Sequence, residues 1–224
     1  MGSETPKRMT ENNKILFNLY CFECRKINMR SFFILTIAAV LFVGSCAGFN
    51  RDVMTLEKPK VPSHIMGEGN VSADRMAAFL LMNNPSVDSV YAISLARIYI
   101  EEASFERINH DIAFSQMCLE TGFLRFGGDV KPDQYNFAGM GAVGGGDPGL
   151  AFPDPRTGVR AQIQHLKAYG SEEPLNMALV NPRFRFVRRG CAPTIEGLAG
   201  TWAADRQYAV KINTILQRLY DFSF

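Results

Sequence analysis

Residues 116–123 read Gln116-Met117-Cys118-Leu119-Glu120-Thr121-Gly122-Phe123, placing a helix end, a carboxylate and a glycine in immediate succession. Upstream, Ile112, Ala113, Met117 and Leu119 recur at helical spacing between Asp111 and Glu120. Gly122 suits the left-handed residue that ends a helix. The stripe Ala113, Met117, Glu120 puts the carboxylate on a face shared with apolar residues. Burial disfavours its charged form, and the negative end of the helix dipole repels it, so both effects raise its pKa. A carboxyl protonated near neutral pH is what a general acid requires. A capping or salt-bridged surface glutamate fits the same position, so position alone leaves both readings open.

Working outward, the flanking segments are also helical. Ser72-Ala73-Asp74 can cap a helix running to about Met82 and ending near Asn84-Pro85. From Ser86 to Arg107, the residues Val87, Val90, Tyr91, Leu95, Ile98 and Tyr99 form one buried stripe. Glu102, four residues after Ile98, reads as an internal structural carboxylate rather than a catalytic one. Later helices are predicted over Arg156–Ala168 and over about Ala203–Tyr220, with a turn beginning after Pro193. His165 lies in the first of these and reads as a satisfied core histidine.

Between them, Phe123 to Pro155 changes character, with eight glycines and four prolines. It predicts an irregular lobe with room for a short hairpin. A long glycine-rich insert in a helical domain is usually functional or mobile. Two clusters near it carry polar groups suited to a ligand. Asn136-Phe137-Ala138-Gly139-Met140-Gly141 offers an amide beside small residues that let a ligand approach the backbone, although a simple turn would read the same. Trp202, Asp205 and Tyr208 fall at i, i+3 and i+6, roughly one helical face, where aromatics could stack on a sugar or simply pack in a core.

The amino-terminal part has another logic. Phe32–Gly44 is an apolar run of 13 residues without a charge, short for a membrane span and right for a signal-peptide core. Arg25, Lys26 and Arg30 precede it, and Val43-Gly44-Ser45-Cys46 resembles a bacterial lipobox with Cys46 as the lipidated residue. The organisation expected is a leader over 1–45, a lipid-anchored tether over 46–71, and a domain over 72–224. Met29-Arg30-Ser31 would make a compact start, so residues 1–28 read as a start assigned too early. Cys21 and Cys24 form a CxxC with no second pair and no nearby histidine. The location expected is the cell envelope, anchored in the inner or outer membrane and facing the periplasm, or secreted if the lipobox is unused.

Composition excludes several classes. The chain of 224 residues is 47% apolar and 21% charged, too apolar and too lightly charged for a disordered chain. Its net charge is +2. Without residues 1–45, Lys+Arg falls from 24 to 18 and Asp+Glu from 22 to 19, leaving −1. Nucleic acid is therefore not an expected partner. The three histidines, 64, 110 and 165, show no metal spacing, so no metal and no cofactor are expected. Cys118 and Cys191 could pair in an oxidising compartment or stay apart as buried thiols.

Gln116–Phe123, Asn136–Met140 and Trp202–Ile212, in this order, resemble the Q-x-x-L-E-T-G-aromatic, N-x-x-G-hydrophobic and W-x-x-D-x-x-Y-x-x-K-I elements of a bacterial glucosaminidase family, glycoside hydrolase family 73. The resemblance covers roughly residues 72–221. Leu124–Asp129 and Gln164–Tyr169 look like the lipoprotein branch of Bacteroidetes-type bacteria. The resemblance implies a mainly α, lysozyme-like fold with a helical lobe, a small second lobe and a glycan cleft. It implies hydrolysis of β-1,4 bonds in peptidoglycan with Glu120 as catalytic acid and Tyr208 in support. Gln116, Asn136, Phe137, Trp202 and Asp205 would contact substrate. A second carboxylate would come from the middle lobe, where Asp129, Asp133, Asp147 and Asp154 occur, Asp154 and Asp147 foremost. No glutamate lies between 121 and 171. The other route is substrate assistance by the 2-acetamido group. A lytic transglycosylase, or a wall-binding lipoprotein without turnover, are the competing functions.

Overall fold

Ser72 ends an extended approach and caps the first helix, its hydroxyl accepting from the Arg75 N–H. The computed structural model describes residues 58–224. The leader, Cys46 and residues 46–57 lie outside the described residues. Helix α1 spans Ala73–Asn83. Asp88 caps α2, Ser89–Glu106, by accepting from the Tyr91 N–H at 2.8 Å. Asn109 caps α3, His110–Glu120, by accepting from the N–H groups of Asp111 and Ile112. After the irregular lobe come α4, Pro155–Gly170, and α5, Tyr208–Ser223. The fold is mainly helical and lysozyme-like.

Helix α3 is the axis of the packing. Residues Asp111 to Cys118 are all buried, where the sequence suggested one buried stripe. A helix buried all round belongs in the middle of a domain. It packs against α2 and α5, while α1 and α4 pack mainly on α2. Two buried carboxylates tie α2 to what surrounds it. Glu102, fully buried, accepts from Arg160 Nε at 2.7 Å and from Arg156 at 2.9 Å on α4. Glu106 accepts from Lys167 Nζ at 2.7 Å, and from the Asn176 and Met177 N–H groups. Such pairs hold because each charge is hydrogen-bonded as well as paired.

The expected tether over 46–71 is corrected at its C-terminal end. Ile65 and Val71 are buried in the core. The Ile65 N–H donates to Pro193 O at 3.0 Å and its carbonyl accepts from the Asn109 N–H at 2.9 Å. Asp111, inside α3, accepts from the N–H groups of Asn70 and Val71 and from the Tyr220 hydroxyl. The segment looked like a linker because it is rich in proline, glycine and charge. Its backbone groups find partners on α3 and in the 193–195 segment.

The glycine-rich lobe contains no strand among the described residues. In place of the expected hairpin there is one antiparallel bridge between Gly144 and Asp147, and a 3-10 turn spans Pro132–Gln134. The lobe has a small core of Ala138, Met140 and Phe152, packed on Ala161 of α4. It is seated where α4 carries Gly158. A Cβ there would stand 1.9 Å from the Tyr135 carbonyl oxygen, so only glycine lets the lobe reach the helix.

The last helix starts later than the sequence suggested. Ala203–Gln207 form a turn, with the Ala203 carbonyl accepting from Gly200 N–H at 2.7 Å. Asp205 accepts from the Gln207 N–H at 2.8 Å, a local bond that competes with helix. Trp202, Asp205 and Tyr208 therefore do not share a helical face. Cys118 and Cys191 are both free thiols.

Candidate active site

Glu120 is the last residue of α3, and the chain after it turns sharply. Thr121 organises the turn: its hydroxyl donates to Met117 O and accepts from the Leu124 N–H, both at 2.8 Å. Its carbonyl accepts from the Arg125 and Phe126 N–H groups at 2.9 Å. Gly122 is left-handed as expected, at φ 57°, and so are Phe123, Leu124 and Phe126. Left-handed backbone at bulky residues is strained and persists only where the surroundings over-determine it. Here Phe123 packs on Phe79, and its carbonyl accepts from the Asn84 amide at 2.7 Å.

The Glu120 carboxyl is held on one side by the Tyr208 hydroxyl, which donates to Oε1. On the other side Oε2 faces Gly139. A side chain at 139 would begin 3.4 Å from Oε2, in a backbone with φ 62° that also favours glycine. Burial pushes the Glu120 pKa up. Hydrogen bonds from Tyr208 and Trp202 pull it back part of the way. Burial, reinforced by the Glu120 charge, holds the Tyr208 hydroxyl well above the usual phenol range, so it remains a donor.

Behind Tyr208 runs a relay that the sequence did not disclose. The Tyr99 hydroxyl donates to Gln162 Oε1 at 2.6 Å. Gln162 Nε2 donates to Gln116 Oε1 at 2.9 Å and to Ala113 O at 3.0 Å. Gln116 Nε2 donates to the Tyr208 hydroxyl at 2.9 Å. Gln116, Gln162 and Tyr99 are fully buried. Gln116 thus reaches the site through Tyr208 and does not contact a ligand directly. Neither Tyr99 nor Gln162 carries a local signal that would have singled it out.

Gly139 and Trp202 also line a pocket of about 230 Å³ with Met140, Val143, His165, Tyr169 and Arg183. His165 is buried, as expected of a core histidine, yet it forms part of this wall. Its ring lies edge-on to Trp202 at 4.8 Å and to Tyr169 at 5.4 Å. Burial first, and the Arg183 charge second, lower its pKa to about 4, so it is neutral.

Other residues expected at the site are elsewhere or serve the fold. Asn136 is buried, with Nδ2 donating to Met140 O and Leu150 O and Oδ1 accepting from the Met140 N–H. All of its hydrogen bonds go to backbone, so it is a stitch in the lobe. Phe137 is a core residue between Tyr99 and Phe126. Asp205 is exposed, bonded to Gln207 and Lys211, and orients the start of α5. Asp154 caps α4 by accepting from the Thr157 N–H and hydroxyl, which hold its pKa low. Asp147 accepts from the Gly149 N–H in an exposed turn. None of the four aspartates lines the pocket beside Gly139 and Trp202.

Among the described residues, no group of three or more histidine, cysteine or acidic side chains could hold a metal ion. Nor is any described helix long and apolar enough to cross a membrane.

The chain is similar to an uncharacterized protein of Borreliella burgdorferi, 36% identical over 195 residues, covering 85% of this chain and 96% of the relative. No solved structure matches it. The model of the glucosaminidase family, described as mannosyl-glycoprotein endo-beta-N-acetylglucosaminidase, matches residues 96–221, from the middle of α2 to the end of α5 and across Glu120, the glycine-rich lobe and Tyr208. The chain therefore belongs to the glucosaminidase family of glycoside hydrolases.

Proposed function

We propose that the protein is a peptidoglycan hydrolase that cleaves β-1,4 bonds following N-acetylglucosamine, with Glu120 as general acid. The observation that carries this reading is the Glu120 carboxyl itself. It is part-buried, with its pKa raised by burial, and it abuts Gly139 and Trp202, which line a pocket of sugar-ring dimensions.

The hydrogen-bond directions support this role. Oε1 accepts from Tyr208, so the acidic proton sits on Oε2, the oxygen facing Gly139. Glu120 gives that proton to the leaving glycosidic oxygen as the bond to the anomeric carbon breaks. With no aspartate in the pocket wall, the 2-acetamido carbonyl of the bound sugar is the internal nucleophile. The resulting cyclic ion is opened by water, whose proton returns to the Glu120 carboxylate. Tyr208 holds the carboxyl in place through both halves of the cycle. The amino-terminal apolar run and Cys46 support export and lipid anchoring in the cell envelope.

The test is turnover of purified peptidoglycan by wild type and Glu120→Gln, with products identified by mass spectrometry. Gln keeps the shape and cannot transfer a proton, so a loss of about 10²–10⁴-fold is expected. Near-wild-type activity in the variant would sink the assignment. A 1,6-anhydro product in place of a reducing end would make the enzyme a lytic transglycosylase.

A further inference from the structure

The pocket beside Glu120 carries a cation that the acid catalysis does not use. Arg183 lines it, and among the described residues Arg183 pairs with no carboxylate. Its charge is near enough to contribute to keeping His165 neutral. The position of Arg183 is built in from α4. Gln164 Oε1 accepts from the Val180 and Asn181 N–H groups at 2.9 and 3.2 Å. Asn181, fully buried, accepts from the Arg183 N–H at 2.9 Å through Oδ1. Its amide nitrogen therefore donates to His165 Nδ1, at 2.8 Å. Two consecutive helix side chains, Gln164 and His165, thus fix the backbone from which Arg183 projects.

A guanidinium presents a planar fork of donors that matches a carboxylate, and Arg183 is exposed where it lines the pocket, so its fork is open to a ligand. A neutral sugar offers hydroxyl and amide groups that need no cation. Accepting the glucosaminidase reading of Glu120, we infer that Arg183 is a specificity residue that binds a carboxylate on the substituent of the glycan seated in this pocket. That carboxylate belongs either to a lactyl ether or to an attached peptide stem. An anionic membrane is the other partner that Arg183 and its neighbours Arg185, Phe186 and Arg188 could meet. The pocket lining favours the substrate, because Arg183 shares one pocket with Gly139 and Trp202, the residues that flank the Glu120 carboxyl.

The experiment compares full-length wild type, Arg183→Gln and Arg183→Lys on three glycans of the same linkage. One is a neutral chito-oligosaccharide, one a peptide-free glycan with free lactyl carboxylates, and one a glycan with intact stems. The ratio of kcat/KM on carboxylated to neutral glycan should fall about tenfold or more in Arg183→Gln, through KM rather than kcat, with partial recovery in Arg183→Lys. The arm that shows the drop identifies which carboxylate is read. An equal effect on all three glycans, or none, overturns the inference. Loss of co-sedimentation with phosphatidylglycerol vesicles in Arg183→Gln, without a change in that ratio, would assign the residue to the membrane instead. Binding of the same glycans to Glu120→Gln, with and without Arg183→Gln, reads the preference without turnover. A preference that depends on Arg183 in a wild type that cleaves nothing would refute the hydrolase reading and leave the Arg183 inference standing.

Discussion

The Gln116 side-chain amide donates to the Tyr208 hydroxyl at 2.9 Å, and this decides where the hydroxyl proton goes. Gln162 bonds both Gln116 Oε1 and Ala113 O through its own amide nitrogen, so the orientation of each glutamine is fixed. Tyr208 accepts from Gln116 and, with its own hydroxyl proton, donates to Glu120 Oε1. A buried relay beginning at Tyr99 thus aims one donor at one carboxylate oxygen and leaves the other facing Gly139.

Tyr208→Phe follows directly. The bond from Tyr208 lowers the Glu120 pKa, so its removal raises that pKa further. The acid is active when protonated, and rate falls as pH rises through its pKa. The basic limb of the kcat/KM profile should therefore move to higher pH in the variant. Its maximal rate should fall less than in Glu120→Gln, since the proton donor remains. Gln116 Nε2 loses its acceptor in the interior, which costs about 1–3 kcal/mol of stability. A profile that stays in place would show that Tyr208 does not act on Glu120.

Glu120→Gln should show a pH-dependent gain in stability. Burial holds the folded pKa of Glu120 above that of an ordinary glutamate carboxyl. Well below the ordinary glutamate pKa the carboxyl is neutral in both folded and unfolded chains and contributes no difference. As pH rises from the ordinary glutamate pKa to the raised folded one, the unfolded chain takes on the negative charge first and stability is lost, the loss being complete above the folded pKa. Glutamine never takes that charge. The difference in Tm, variant minus wild type, should thus be larger at pH 8 than at pH 4. A difference independent of pH would contradict the raised pKa.

Asn136→Ala should unfold the lobe more readily rather than simply weaken substrate binding. The substitution strips bonds to Met140 N, Met140 O and Leu150 O and leaves the buried Met140 N–H unpaired. A loss of about 1–3 kcal/mol is expected, visible as a lower Tm and earlier proteolysis within 136–150. An unchanged Tm with a raised KM would restore it as a ligand-binding residue.

Asp154 separates capping from catalysis. Asp154→Ala removes the cap of α4 and should cost about 0.5–2 kcal/mol, while Asp154→Asn should keep most of it. Both should turn over substrate at a temperature where they are folded. Activity abolished by Asp154→Asn in a stable protein would instead identify Asp154 as the second catalytic carboxylate.

The sequence by itself determined what is local. Helix starts at Ser72 and near Asp111 and the helix end before Gly122 follow from spacing and capping within a few residues, whereas the burial of Glu120 was left open by its position. Tertiary structure decided the partners. Asp111 and Tyr220 bond across 109 residues, Glu120 and Tyr208 across 88, and Tyr99 and Gln162 across 63. No periodicity encodes such pairings, because they depend on which helix faces meet. The same holds for residues 58–71, a linker by composition that the core captures through the backbone bonds of Ile65, Asn70 and Val71. It holds too for Asp205, whose bond to the Gln207 N–H ended a helical pattern that spacing alone had extended to Ala203. The place of Arg183 beside the pocket likewise depends on tertiary bonds, from Gln164 and His165 through Asn181.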